Sequence, residues 1–248
     1  MTTSPGLERV LRRLETRVLL DAEDRAAVLA LPLSYRTLEP AAYIVREGEA
    51  AEVCVILLTG FAYRHKVTGH GERQIMSVHM PGEFLDLQNC LLGIADHNVQ
   101  TLTRCEIATV PVEALRELAE ARPRVGRAMW IDTLIDSAIF REWIVNVGRR
   151  DSISRISHLL CELALRLEAA DLARGRRYEL PMTQEQIGDC IGLTPIHVNR
   201  MMKALEAENL ITRQSTRSVM IGDWRKLAAV GDFDSNYLHM REDDDALA

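Results

Sequence analysis

Arginine, asparagine, histidine and lysine side chains follow Pro195 at spacings that place them on the polar side of one helix. Arginine and asparagine can each make two hydrogen bonds to the edge of one base. Arg200 is therefore the leading candidate to contact a base, which we expect to be guanine. His197 and Asn199 are the second-rank base readers, and Lys203 is expected to contact the phosphate backbone.

Local signals on either side of a tight turn position this helix. Thr183 and Gln186 fit a capping box that opens a first helix, and Gly192 fits the left-handed residue that ends it. Thr194 and Pro195 fit the cap and first residue of the second helix. Two short helices joined in this way form a helix-turn-helix. We expect Thr183, Thr194 and Pro195 to lie against DNA, with the second helix's N-terminus holding a phosphate.

A β-wing is predicted after the second helix. Two short strands, Leu210–Arg213 and Ser218–Ile221, flank the turn at Gln214–Arg217. Arg213 and Arg217 could hold backbone phosphates from this wing. Each residue alone fits an ordinary solvated surface, so it is the order of cap, turn, helix and wing that indicates DNA contact.

The first half of the chain has a different texture. Helical spacing predicts helices at Pro5–Val18 and Asp21–Leu31. From Leu33 to Val112, short β-rich runs broken by glycines predict an antiparallel roll or sandwich. Its clearest hairpin turn is Thr68–Gly71. The fold class expected for the whole chain is α+β.

A long helix is predicted between these two parts, from Pro123 to about Asn146. It is apolar over more than half of its circumference, which one packing partner cannot cover. A symmetric dimer would cover the second face, and burial within one large monomer is the alternative. Gly148–Asp151 then predicts a hinge. The expected domains are a sensor domain at 1–122, a dimerisation helix at 123–148, and a DNA-binding domain with an acidic tail at 149–248.

Charge and composition restrict the function further. The net charge is −6, yet residues 149–226 hold 13 basic and 10 acidic residues, a positive balance that suits phosphate capture. Five widely spread cysteines without metal-type spacing favour reduced, buried thiols. We find no targeting or membrane-spanning pattern and expect a cytoplasmic protein with no membrane partner. We also find no nucleophile–base pair, phosphate loop or metal triad, so we predict no enzyme, no catalytic residue and no metal ligand.

These motifs resemble the CRP/FNR family of bacterial transcription regulators. The resemblance runs from about Glu47 to Ile221 and rests on Pro81–Phe84, the long helix, Thr183–Gly188, Val198–Arg200 and Glu208–Ile211. It implies a cyclic-nucleotide-binding-like β-roll, a dimer helix and a winged helix-turn-helix. It also implies a homodimer on a near-palindromic site in double-stranded DNA, with half-sites about one helical turn apart, and contact with RNA polymerase.

The alternative is a ligand-binding or protein-docking module with a degenerate helix-turn-helix. Retention of basic residues on the predicted DNA face favours the regulator. The recognition helix nevertheless departs from the family pattern, because Ile196 stands where the family has a glutamate two residues after the position of Thr194. Isoleucine cannot accept a hydrogen bond from cytosine, so the half-site should differ from the common ones.

The sensor departs from the family as well. Ala95–Val99 stands where the family's phosphate-binding arginine belongs, and the sequence has no Arg or Lys between Arg73 and Arg104. A phosphate beside Asp86 and Asp96 would meet like charge, so a cyclic nucleotide is not expected. The predicted effector pocket consists of five residues of this region: Asp86, Asn89, Cys90, Asp96 and His97.

No cofactor is predicted. An iron–sulfur cluster is not expected because the first cysteine, Cys54, lies inside a predicted strand. Haem is the remaining alternative, and the candidate axial ligands are His65, His70, His79 and His97. Cys90 and Cys190 would qualify as redox switches only if their thiols were exposed and had a lowered pKa.

Overall fold

The computed structural model describes residues 5–215 and 217–240 of the 248-residue chain. They form two compact units. The first contains the described residues up to Lys66 together with Ser77–Ser137, and the second contains Val67–Met76 together with the described residues from Ala138 onward. The predicted domain limits stay a prediction, and residues 241–248 of the predicted acidic tail lie outside the described residues.

The two N-terminal helices and the long helix were predicted from periodicity, whereas the short helix at Asn89–Leu92 was not. The helices of the first half are α1 Pro5–Arg17, α2 Ala22–Leu29, α3 Asn89–Leu92, α4 Val112–Ala121 and α5 Pro123–Arg149, the last of which contributes to both units. Helix α2 begins after Asp21, whose side chain accepts a hydrogen bond from the N–H of Asp24 at 2.9 Å. Satisfying a free N–H in this way is what makes aspartate a good start signal.

Antiparallel strands form two sheets in the first half of the chain. The strands are β1 Ser34–Leu38, β2 Tyr43–Val45, β3 Val53–Thr59, β4 Ala62–Val67, β5 Arg73–His79, β6 Asn98–Thr101 and β7 Cys105–Pro111. One sheet has the order β1-β7-β3 and the other β2-β6-β4-β5. The predicted antiparallel β-roll is confirmed.

Strand β3 is buried on both faces from Cys54 to Leu58, although it lies at one edge of its sheet. Successive side chains of a strand point to opposite faces. Cys54, Ile56 and Leu58 therefore pack against the helices, in a cluster that includes Leu11 of α1. Val55 and Leu57 point the other way and pack in the interior of the roll.

The second unit contains the remaining elements. They are α6 Ser152–Ala169, β8 Arg177–Glu179, α7 Gln184–Ile191, α8 Pro195–Ala207, β9 Ile211–Arg213, β10 Ser218–Ile221, α9 Trp224–Val230 and a 3-10 turn at Ser235–Leu238. The hairpin turn predicted at Thr68–Gly71 also lies here, closed by a 2.8 Å hydrogen bond from the N–H of Thr68 to the carbonyl of Glu72.

The sequence pattern did not predict strand β8, which pairs Tyr178 with Val219 of β10. Three residues are too few to show strand alternation in a sequence. The hinge predicted at Gly148–Asp151 is shorter than expected, because α5 continues to Arg149 and α6 begins at Ser152.

Candidate DNA-binding surface

The first helix of the motif begins with the predicted capping box. The hydroxyl of Thr183 accepts a hydrogen bond from the N–H of Gln186 at 3.2 Å. The Gln186 side chain accepts one from the N–H of Thr183 at 2.8 Å. Two free N–H groups at the start of α7 are thus satisfied reciprocally.

Two glycines make the turn between α7 and α8. Gly192 ends α7 with φ +67°, in the left-handed region that glycine adopts without strain. Gly188 is a second requirement that the sequence argument did not explain. A Cβ at Gly188 would lie 2.3 Å from the carbonyl oxygen of Leu193, so no larger residue fits the tight turn.

Side-chain donors hold the end of α7 in place. The last carbonyls of a helix have no partner inside the helix. The amide of Gln74 donates to the carbonyl oxygens of Asp189 and Cys190 at 2.8 and 3.1 Å. Arg73 pairs with the carboxylate of Asp189 at 2.7 Å, and Arg155 donates to the carbonyl of Ile191 at 3.0 Å.

Helix α8 begins as predicted, with Thr194 as its cap and Pro195 as its first residue. The hydroxyl of Thr194 accepts a hydrogen bond from the N–H of His197 at 3.3 Å. Three core residues, Val198, Met202 and Leu205, are buried on the inner side of the helix. The outer side exposes Thr194, Pro195, Ile196, Arg200 and Lys203, while His197 and Asn199 are half-buried.

Arg200 is oriented by a neighbour on the same face. One guanidinium nitrogen of Arg200 lies 2.9 Å from Nε2 of His197. Because a guanidinium can only donate, Nε2 of His197 accepts and its ring proton is on Nδ1. His197 therefore orients Arg200, the residue predicted to contact a base, and spacing alone did not assign this role to His197.

Arg213 and Arg217 of the wing, both predicted to hold phosphates, differ in their surroundings. Arg217 is exposed, as a phosphate contact requires. Arg213 is mostly buried and pairs with Glu206 of α8 at 2.6 Å. This hydrogen bond from Arg213 lowers the pKa of the Glu206 carboxyl. Arg213 thus ties the wing to α8, and Thr216 at the wing's turn lies outside the described residues.

Four of the five predicted effector residues are buried, and they are Asp86, Asn89, Cys90 and His97. The carboxylate of Asp86 accepts a hydrogen bond from the N–H of Val55 at 2.9 Å, and burial raises the pKa of that carboxyl. Asp96 is exposed and lies 2.6 Å from Nδ1 of His97. Burial, with the nearby charge of Arg64, lowers the pKa of His97 to about 4.

A guanidinium that the sequence argument overlooked lies in the interior of the roll. Arg64 of β4 is buried, donates to the carbonyl of Leu85 at 2.7 Å and pairs with Asp136 of α5 at 3.1 Å. Arg64 lies outside the stretch between Arg73 and Arg104, in which the sequence has no Arg or Lys. Strand pairing brings Arg64 there, because it lies opposite Val99 in the β4–β6 register.

A chain of ion pairs runs beside Arg64. Glu83, in the Pro-Gly turn, is 3.0 Å from Nδ1 of His79 and 3.1 Å from Arg13 of α1. Arg13 and Arg17 both contact Asp132, at 3.0 and 3.3 Å. Asp132 and Asp136 lie one turn apart on α5. Asp136 pairs directly with Arg64 of the roll, and Asp132 reaches Glu83 of the roll through Arg13.

The cysteines are all free and buried. Burial raises the pKa of Cys190, which therefore meets neither requirement for a redox switch. Cys90 is also buried, and a hydrogen bond with Cys54 lowers its pKa. Within residues 5–215 and 217–240, no group of three or more His, Cys, Asp or Glu is arranged to hold a metal ion. None of the helices described there has the length and apolar content that crossing a bilayer requires.

Comparison with known proteins agrees with this geometry. Residues 35–122 match the cyclic nucleotide-binding domain and residues 154–230 match the Crp-like helix-turn-helix domain. The chain is 26% identical over 220 residues to the transcriptional activator protein FnrL of Cereibacter sphaeroides, covering 87% of each chain. It is 25% identical over 195 residues to the nitrogen fixation regulation protein FixK of Rhizobium meliloti, covering 79% of this chain and 86% of that one. The solved structure of FixK2 from Bradyrhizobium japonicum superposes with a TM-score of 0.75 at 23% identity, covering 81% and 98% of the two chains.

The fold and the exposed α8 face define a winged-helix DNA-binding protein with a cyclic-nucleotide-binding type of β-roll. The chain belongs to the CRP/FNR family of bacterial transcription regulators.

Proposed function

We propose that the protein is a homodimeric transcription regulator that binds a near-palindromic DNA site through α8 and is controlled by a signal at the β-roll. The observation that carries the DNA-binding part is the outer side of α8. Arg200 and Lys203 are exposed there, behind a helix start that is fixed by Thr194 and Pro195. An exposed basic helix face favours this function over a degenerate helix-turn-helix.

The homodimer is supported by apolar side chains that α5 exposes. Trp130, Leu134 and Ile144 are 68%, 52% and 69% exposed, and Val145 is 44% exposed. At 100° per residue, these four positions fall within an arc of about 100° on the helix surface. A solvent-facing apolar stripe on a long helix is suited to the same stripe of a second copy. The opposite side, with Ile135, Ile139 and Trp143, is buried within the chain.

The signal is proposed to act in the interior of the roll, and a cyclic nucleotide is not the proposed effector. The buried guanidinium of Arg64 is already engaged by Asp136 and Leu85, and Asp86 lies close to it. A phosphate would have to displace Asp136 and approach the buried Asp86. Haem stays an alternative that absorbance of the purified protein would reveal. Contact with RNA polymerase is part of the proposal through family membership.

Site selection tests the DNA-binding part. Full-length protein is incubated with random duplex DNA, and the bound fragments are sequenced. We expect a two-fold symmetric consensus. Arg200→Ala should lose about 1–3 kcal/mol of binding free energy and relax specificity at one base pair of each half-site. Lys203→Ala should weaken binding to all sequences evenly and flatten its salt dependence.

Matched variants give the controls. Arg225→Ala removes an exposed arginine outside the helix-turn-helix and wing, and should leave the consensus unchanged. For the dimer, Leu134→Glu should yield a monomer in sedimentation equilibrium. Leu91→Glu, at an 82% exposed leucine of α3, should not change the mass. Bound fragments without any consensus would contradict the proposed regulator.

A further inference from the structure

We propose that Ile196 is a specificity-determining residue that selects thymine by packing against its C5-methyl group. The proposal deepens the proposed function and rests on it. Ile196 is 84% exposed, although isoleucine is among the residues most often found inside proteins. A single exposed apolar side chain is ordinary on a protein surface, and it is the position of Ile196 that distinguishes it.

Ile196 is the second residue of α8, in the turn that a recognition helix directs at base edges. At 100° per residue, Ile196 shares an arc of about 100° with Asn199, Arg200 and Lys203. It therefore lies on the same face as the proposed base and phosphate contacts. Helix α8 buries Val198, Met202 and Leu205 on its other side, so Ile196 takes no part in holding the helix in the fold.

Local helix stability does not call for isoleucine at this position either. The first turn of a helix favours acidic side chains, and β-branched residues have lower helix propensity than straight-chain ones. An exposed isoleucine here gains nothing for the isolated chain. Its exposed surface is removed from water only when something apolar covers it.

The major groove offers one such group. Every other base-edge feature there is a hydrogen-bond donor or acceptor, which an aliphatic side chain cannot satisfy, whereas thymine carries a methyl group. Ile196 would leave the donor of a cytosine without a partner, and would bury its own side chain against thymine. Because Ile196 and Arg200 are four residues apart on one face, the selected thymine lies close to the base pair that Arg200 contacts.

Replacement of thymine by uracil tests this directly, since it removes the methyl group and leaves every hydrogen-bonding atom in place. The selected consensus duplex is synthesised with deoxyuridine at one thymine position at a time, symmetrically in both half-sites. Affinity of the full-length protein is measured by fluorescence anisotropy. We expect one position per half-site at which uracil weakens binding about fourfold for each contact made. The reference duplex has thymine, which is uracil with the C5-methyl group, at every one of these positions.

Variants assign the effect to the side chain. Ile196→Ala should bind the thymine and uracil duplexes equally at that position. Glutamate is favourable in the first turn of a helix and can accept a hydrogen bond from cytosine. Ile196→Glu should therefore change the selected base at that position from thymine to cytosine. Arg200→Ala should keep the thymine-to-uracil difference while it loses specificity at its own base pair. Unchanged thermal unfolding of each variant shows that the fold is retained.

The outcomes separate the two proposals. A symmetric consensus with no uracil-sensitive position, or a uracil effect that persists in Ile196→Ala, overturns the role of Ile196 and leaves the proposed regulator intact. Selection that yields no consensus overturns the proposed regulator, and the role of Ile196 with it.

Discussion

Two buried polar regions of the molecule differ in how completely their hydrogen bonds are made. In the second unit, Glu162 of α6 is fully buried and both of its oxygens have partners. Trp143 and Tyr237 donate to Oε2 at 2.9 and 2.7 Å, and Arg166 donates to Oε1 at 3.0 Å. We call these four residues the Glu162 cluster.

The interior of the roll leaves hydrogen-bonding capacity unused. Among the residues that the structure describes, Ser77, His79, Asn89 and His97 are buried side chains there with polar atoms that have no hydrogen-bond partner. These atoms are Oγ of Ser77, Nε2 of His79, both amide atoms of Asn89, and Nε2 of His97. His79 and His97 each have Nδ1 beside a carboxylate, so in the neutral ring the lone pair of Nε2 is the group that is left over.

This difference suits the Glu162 cluster to structural support and the roll interior to the proposed signal. The Glu162 cluster joins α5, α6 and the 3-10 turn with every oxygen of the carboxylate satisfied, and such a network makes a region rigid. Unpaired buried groups cost free energy, which a small polar molecule entering the roll would recover. The roll interior therefore suits the proposed signal, and the ion pairs at Asp132 and Asp136 connect it to α5.

Breaking the Glu162 cluster should have the largest effect on stability. Glu162→Ala leaves the Arg166 charge and two donors buried without their acceptor, which should lower the free energy of unfolding by about 3–5 kcal/mol. Urea unfolding followed by tryptophan fluorescence measures the loss. Glu162→Gln keeps one acceptor oxygen and should lose less than the alanine variant. A loss below about 1 kcal/mol for Glu162→Ala would show that the cluster is not a support.

Acidification should weaken the roll next. The folded protein keeps His97 neutral, with its pKa lowered to about 4, whereas an unfolded histidine binds a proton near pH 6.5. Between these values the unfolded state binds more protons, so stability should fall by roughly 1 kcal/mol per pH unit as pH drops from about 6.5 toward 4. His97→Asn should flatten this part of the stability curve.

The control for this pH dependence is a histidine on the surface. His70 is exposed in the β4–β5 hairpin, and His70→Asn should leave the slope unchanged. Equal slopes in the His97→Asn variant and the wild type would contradict a neutral, buried His97.

A hydrogen bond in the second unit should be worth less than the ionic cluster. The hydroxyl of buried Tyr178 donates to the carbonyl of Leu160 at 2.8 Å. Tyr178→Phe removes only this hydroxyl, so the free energy of unfolding should fall by about 1 kcal/mol. The same urea titration measures it, and a stabilised variant would argue against the bond.

The smallest effect, with the opposite sign, is expected in the roll. Ser77 is fully buried and its hydroxyl is among the unpartnered atoms named above. Ser77→Ala removes that hydroxyl with almost no change in shape, so the free energy of unfolding should stay level or rise by up to about 1 kcal/mol. A clear loss of stability would mean that the hydroxyl is already bonded, for example to a buried water molecule.

Local signals made the helix-turn-helix predictable. The hydroxyls of Thr183 and Thr194 each accept a hydrogen bond from the N–H three residues later, and Gly192 ends α7. Each of these interactions lies within a few residues of sequence. The antiparallel roll and the long helix were predictable in kind for a similar reason, because hydrophobic periodicity is a property of short segments.

Other features depend on residues that are far apart in the sequence. Strand β8 was not predicted because its three residues form a strand only by pairing with β10. Arg213 was predicted to contact phosphate, and the sequence did not show that Glu206 lies beside it. The predicted effector residues all came from one continuous stretch of sequence, so Arg64 on the neighbouring strand was omitted.

The sequence by itself determined where the two helices of the helix-turn-helix begin, which face of α8 is polar, and that a β-roll precedes a DNA-binding motif. Only the tertiary structure decided which charged side chains form ion pairs within the fold and which remain exposed to a ligand. Arg64 and Asp136 are 72 positions apart, and Arg13 and Asp132 are 119 apart. The physical reason is that capping and periodicity act within a turn or two of chain, whereas burial and ion pairing are set by neighbours that only folding brings together.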